Sequence, residues 1–167
     1  MNLKSFLMKT RFLFPNSFKT LGWILFLPSF IFTILLTIFE WKIDEYLNFS
    51  VFAVYSDDIF RESSNNFFQI VKNSLTDELL TFNLIIGGIL IGFSKLKNED
   101  EYISKIRYES LVWATYLNYG LILLFTAFIY GFSFLNVLYF NTFTLLLFFI
   151  IRFHYMIYKL NKTNQDD

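Results

Sequence analysis

LGWILFLPSFIFTILLTIF, Leu21 to Phe39, runs for 19 residues without a charged side chain. A helix rising about 1.5 Å per residue needs about 20 mostly apolar residues to cross the roughly 30 Å hydrocarbon core of a bilayer. Backbone polar groups can enter that core only when they bond to one another, which a helix achieves within one segment. The stretch reads as a transmembrane helix. Three more runs follow the same pattern: Leu79 to Phe93, with Asn83 inside it, then Leu111 to about Phe132, then about Leu135 to Ile151. The second is short enough to pass for a buried core helix, but its charged flanks and the topology of its neighbours make it a span.

Composition agrees. The chain has 167 residues, of which 55% are apolar and 17% charged, with 24 Phe and a mean hydropathy of +0.47. Globular domains carry about 45–50% apolar and about 25% charged residues. The expected fold is therefore all-α: a four-helix transmembrane bundle forming one membrane domain over residues 1–167. A loop over 40–78 is expected outside the membrane between helices 1 and 2. A charged helical extension over 94–110 is expected in the cytoplasm between helices 2 and 3. The first apolar run is long for a signal-peptide core, and no small-x-small cleavage site follows Phe39, so it is expected to be retained.

Net charge is +0, yet the charges are segregated. Lys4, Lys9, Arg11 and Lys19 precede the first span; Lys95, Lys97, Lys105 and Arg107 lie between the second and third; Arg152, Lys159 and Lys162 follow the fourth. Lys42, Arg61 and Lys72 alone lie in the first loop, beside Glu40, Asp44, Glu45, Asp57, Asp58, Glu62, Asp77 and Glu78. Basic residues stay on the cytoplasmic side, so both termini are expected there. Trp23 and Trp113 at one level and Trp41 at the other suit the headgroup belts.

Between the spans, Leu47 to Ser56 (LNFSVFAVYS) is aromatic and β-branched and reads as a strand or as an extended segment packed on the membrane face. Phe67 to Asn73 (FFQIVKN) reads as a short amphipathic helix. Ser74 and Thr76 followed by Asp77 and Glu78 mark a helix start, a hydroxyl cap with acids against the positive helix end. Residues 3–14 alternate apolar and basic and read either as a surface helix ended near Pro15 or as a plain basic flank. In the inner loop, Lys97–Glu101, Glu101–Lys105 and Lys105–Glu109 are spaced i,i+4, each such pair adding about 0.2–0.5 kcal/mol to a helix. With Leu96, Tyr102, Ile103 and Ile106 on one face, this stretch predicts a helix continuing the third span inward, after a turn near Asn98.

Function is less legible. There is no Cys, which removes disulfides, thiolate metal sites and Cys nucleophiles. Gly88 and Gly92 form a GxxxG pattern, which serves helix packing within the chain or a self-association face. Asn83, Asn118 and Asn141 are candidates for the polar lining of a path, or for single interhelical hydrogen bonds; Asn136 lies nearby. Glu99, Asp100, Glu101 and Arg107 form a candidate partner surface. Three consecutive acids on a helix diverge, so they do not make a metal site. His154 is the lone histidine, and with Ser110 at similar depth it makes no triad. No span has a charge at its centre, as proton relays usually require. No catalytic, cofactor-binding or metal residue is expected, nor contact with nucleic acid.

The stretch Phe93, Ser94, Lys95, Lys97, Glu99, Asp100, Glu101, Ile103, Arg107, Glu109, Ser110, Trp113, Ala114, together with Thr76 to Leu79, resembles small four-span inner-membrane proteins of Bacteroidetes bacteria. That resemblance implies the topology from about Leu47 onward and no activity. The expected partners are the bilayer and either a second protein or further copies of the chain. Two functions stay open: a non-enzymatic partner, sensor or regulatory component, or an oligomeric pore-forming or membrane-disrupting effector. An enzyme acting on lipid would have to draw on Glu99 to Glu101, Glu109 and His154 and is the weakest reading.

Overall fold

The computed structural model describes residues 12–39, 48–55 and 67–166. Lys4, Lys9, Arg11, Trp41, Lys42, Arg61 and the loop acids Glu40, Asp44, Glu45, Asp57, Asp58 and Glu62 lie outside them, as does most of the surface-helix reading of residues 3–14. The elements run α1 (Ser17–Phe39), β1 (Asn48–Tyr55), β2 (Phe67–Ser74), α2 (Thr76–Phe93), α3 (Glu101–Phe128) and α4 (Phe132–Asp166). All four helices are long and apolar enough to cross a membrane. α1 also shows what surrounds it. Gly22, Phe26, Ser29 and Thr33 are buried on one face, while Leu21, Ile24, Leu27, Ile31, Ile34 and Ile38 are exposed on the other. A helix apolar on its outward face belongs in a membrane rather than in water.

The helices pack mainly as α1 on α2, α2 on α4, and α4 on α3. Lipid supplies no hydrophobic drive for this, so close van der Waals contact must, and small residues permit it. A Cβ added at Gly22 would stand 2.9 Å from the Gly87 carbonyl oxygen, and one at Gly87 would stand 2.9 Å from that of Gly22. The two backbones touch. Gly88 faces Leu146, and Gly92 lies under the Phe149 ring. One core cluster joins Phe26, Leu84, Ile91, Phe143 and Ile150; a second joins Ile103, Ile106, Ala114, Phe149 and Phe153.

Several boundaries depart from the sequence reading. The fold is not purely helical. Phe67–Ser74 is a strand, paired antiparallel with β1 in register Phe52↔Ile70 and Val51↔Val71. Aromatic and β-branched residues prefer the pleated surface, and β1 supplies the ladder that an isolated helix of seven residues would lack. Residues 12–14, the described end of the stretch read either as a surface helix or as a basic flank, are not helical. The Phe14 N–H donates to the Phe93 carbonyl, and the Phe14 carbonyl accepts from the Lys95 N–H, both at 2.9 Å. Pro15 disfavours helical backbone at the preceding residue. The third helix ends at Phe128 rather than near residue 132. Gly131, at φ +71°, makes the turn, and α4 starts at Phe132. As expected, α3 is continuous from Glu101, the chain turns at Lys97 and Asn98, and α2 starts at Thr76 with Asp77 and Glu78 in its first turn. The expected hydroxyl cap is not made: the N-cap position is Leu75, without a side-chain cap hydrogen bond, and Ser74, one residue before it, accepts from the Thr76 N–H at 3.4 Å.

The hairpin projects from the start of α2, with Leu75 alone between β2 and that helix. One face carries Phe52, Val54, Phe68 and Ile70, all exposed, with Phe52 at 67% and Ile70 at 75%. Phe68 holds a φ of +55°, a costly conformation for a bulky residue.

Gly87→Ala should destabilise the protein by about 1–3 kcal/mol, the usual cost of overpacking. Gly120→Ala, where nothing lies within 4 Å, should be neutral or stabilising. Loss of helical circular dichroism in an SDS titration measures both; equal midpoints for the two variants would contradict the contact.

Candidate functional site: an arginine clasp and an asparagine cleft

Two polar sites stand out, one at the basic end of the helices and one within them toward the hairpin end. The first begins with a helix cap. Asp100 has extended backbone, and its carboxylate accepts from the Ile103 N–H at 2.7 Å, fixing where α3 starts. Two turns on, Arg107 falls on the buried face with Ile103, Ile106 and Ser110, and it is 3% exposed. Its guanidinium forks onto the Glu99 carboxylate through Nη1 and Nη2. Nη2 also donates to the Ser94 carbonyl at 3.2 Å, and the cation lies 4.9 Å over the Phe153 ring. Glu99 accepts in addition from the Leu96 N–H at 2.9 Å. One buried ion pair thus clamps the loop from Ser94 to Asp100 onto α3 and α4.

Around the clasp, Lys19 of α1 lies in electrostatic range of Arg107 and Glu99. His154 of α4 packs its ring 5.5 Å from those of Trp23 and Phe153. Its Nδ1 is 2.9 Å from the Ile150 carbonyl, which places the proton on Nδ1. His154 Nε2, Ser110 Oγ and Arg107 Nε are buried without a hydrogen-bond partner. Ser110 and His154 do not bond to each other, so no nucleophile–base pair is formed. No group of three His, Asp or Glu side chains suited to a metal occurs among the described residues.

This placement corrects the partner-surface reading. Arg107 is interior and committed to Glu99, Asp100 caps α3, and Glu99 is mostly covered; Glu101 alone of the four is exposed without such a role. Of the three spaced ion pairs, Lys105–Glu109 forms, at 3.8 Å; Lys97 stands in the turn before the helix. Gly88 and Gly92 are buried against α4 of the same chain.

The second site brings together two of the three expected asparagines. Asn141 of α4 donates its side-chain amide to Asn118 of α3 at 3.0 Å. Beside this bond opens a cleft of about 220 Å³, lined by Leu121 and Phe125 of α3 and by Asn136, Val137, Phe140, Asn141 and Thr144 of α4. Asn83, half-buried on α2, lies apart from it. Sequence reasoning missed the Glu99–Arg107 pair because eight residues and a cap separate its members. The signal was an acid directly before an N-cap Asp, followed by an Arg on the apolar face.

Comparison with protein-family models, with curated proteins and with solved structures gives no match.

Arg107→Met should cost about 3 kcal/mol, the lower end for breaking a buried pair, since Glu99 keeps some exposure. The double variant Arg107→Met/Glu99→Gln should recover part of that loss. Denaturation midpoints of the two single variants and the double variant test it; additive losses would show that the pair is not coupled.

Proposed function

We propose that this chain is a non-enzymatic component of a bacterial inner membrane, a partner or regulatory subunit, with both termini cytoplasmic and the hairpin outside. The observation that supports it best is the hairpin face of Phe52, Val54, Phe68 and Ile70, apolar, exposed and held next to a span. A two-stranded hairpin is marginal on its own in water, and clustered exposed apolar side chains mark binding surfaces. The polar chemistry points the same way. The interior arginine is neutralised by Glu99, and the serine and histidine near it are not paired for catalysis. The glycines that a pore reading would use for assembly are filled from within the chain. Segregation of the basic residues supports the orientation, and an even number of spans puts both termini on one side.

Because the chain has no cysteine, single-cysteine variants report topology directly. Ser50→Cys should react with a membrane-impermeant maleimide in intact cells, and Lys97→Cys only after lysis. The reverse pattern overturns the orientation. Purified from native membranes in mild detergent, the protein should carry a stoichiometric second protein. Phe52→Ser/Ile70→Ser should weaken that association by at least about tenfold, from the loss of buried apolar side chains, at unchanged melting temperature. A homogeneous homo-oligomer without a second protein would instead favour the pore.

A further inference from the structure

We propose that the cleft between α3 and α4 is a lipid site. It holds one acyl chain of a glycerolipid from the leaflet on the hairpin side, whose ester carbonyl accepts a hydrogen bond from Asn136. The inference rests on the four helices crossing the membrane and is independent of the partner reading.

Position is the first argument. α4 starts at Phe132, and the cleft follows it from Asn136, one turn in, to Thr144. At the helical rise those eight positions span about 12 Å. A leaflet of the hydrocarbon core is about 15 Å deep, so the cleft has the length of one lipid chain's course through one leaflet.

Chemistry is the second. The lining is mostly hydrocarbon, from Leu121, Phe125, Val137 and Phe140. The polar groups among it are not equivalent. Asn141 is bonded to Asn118, and the Thr144 hydroxyl donates to the Phe140 carbonyl at 2.7 Å. Asn136 is exposed, and its side-chain amide makes no hydrogen bond among the described residues. An amide unpaired against hydrocarbon costs free energy, and at this depth the available acceptors are the ester carbonyls of lipids.

Size is the third. At about 220 Å³ the cleft is smaller than the roughly 300–1,000 Å³ of pockets that enclose whole drug-sized ligands. A transmembrane helix about 10–12 Å across does not enter it, and irregular peptide is not stable against lipid. A slender chain with a polar group at its shallow end fits.

The test uses the full-length protein in vesicles of phosphatidylethanolamine and phosphatidylglycerol, doped with a phosphatidylethanolamine bearing a diazirine on its acyl chain. After photolysis, labelled residues are mapped by peptide mass. Labelling should concentrate on Leu121, Phe125 and Val137, several-fold above the lipid-facing Ile24, Ile31 and Ile38 of α1. Excess unlabelled ester lipid should compete better than its ether-linked analogue, which keeps the chain but lacks the carbonyl. Val137→Trp, which fills the cleft, should bring labelling down to the level of α1. Asn136→Leu should weaken it roughly three- to tenfold, the effect of one hydrogen bond. Equal labelling of cleft and α1, or equal competition by ester and ether lipids in the unmutated protein, overturns the proposal, as do cross-linked dimers joined through the cleft.

Discussion

The touching backbones of α1 and α2 at Gly22 and Gly87 are the contact on which the other packings depend. In water, two apolar helices associate because burial removes surface from solvent. In a bilayer that term vanishes, and contact density decides instead. Two glycines facing each other bring the axes close enough for Phe26 to reach Leu84 and Ile91. The same helix then presents Gly88 and Gly92 to Leu146 and Phe149 of α4. α2 is thereby the central member: three of its glycines accept neighbours on two sides. α3 needs no glycine because it joins α4 differently, through the Asn118–Asn141 bond within the span and through Arg152 at the basic end. There the Arg152 guanidinium donates to the Glu109 carbonyl at 2.6 Å and lies 5.2 Å over Trp113.

The spans were legible because a bilayer imposes a length on an uncharged run, and Leu21–Phe39 meets it without ambiguity. The extension of α3 beyond its apolar run, back to Glu101, was legible from its spaced charges and its apolar face. β2 was not. FFQIVKN satisfies a helical period nearly as well as a strand period over so few residues, and what decides between them is a ladder partner some twenty residues away. The segment before α1 shows a related limit. Phe14 bonds to the backbone at Phe93 and Lys95, and backbone pairing leaves little trace in side-chain pattern. Arg107 was visible as a charge but not as a buried one. Its burial follows from Asp100 fixing the phase of α3, which turns Arg107 toward Phe153 and brings Glu99 above it. The cleft is the least legible feature, since it arises where two helices fail to fill the space between them.

The clasp and the cleft divide α3 into two parts of different character. Below, Ile103, Ile106 and Ala114 pack on Phe149 and Phe153 around a neutralised ion pair, and replacing one partner would leave a charge stranded in a dry interior. Above Asn118, the seam with α4 is loose, and side chains on both helices face a gap. Rigidity at one end and room at the other suit a protein that keeps its architecture while adapting to whatever enters that gap.

α2 has a further consequence, for the membrane itself. Its 18 residues span about 27 Å at the helical rise. The helix cannot slide, because Asp77 and Glu78 stop it at one end and the segment pinned by Phe14 stops it at the other. α3 and α4, at 28 and 35 residues, have length to spare. α2 is thus the shortest hydrophobic length in the bundle. In a bilayer a few ångströms thicker, the mismatch cannot be relieved by α2 and must be taken up by tilt of the whole bundle or by thinning of the surrounding lipid, so the protein should partition toward the thinner regions of a heterogeneous membrane.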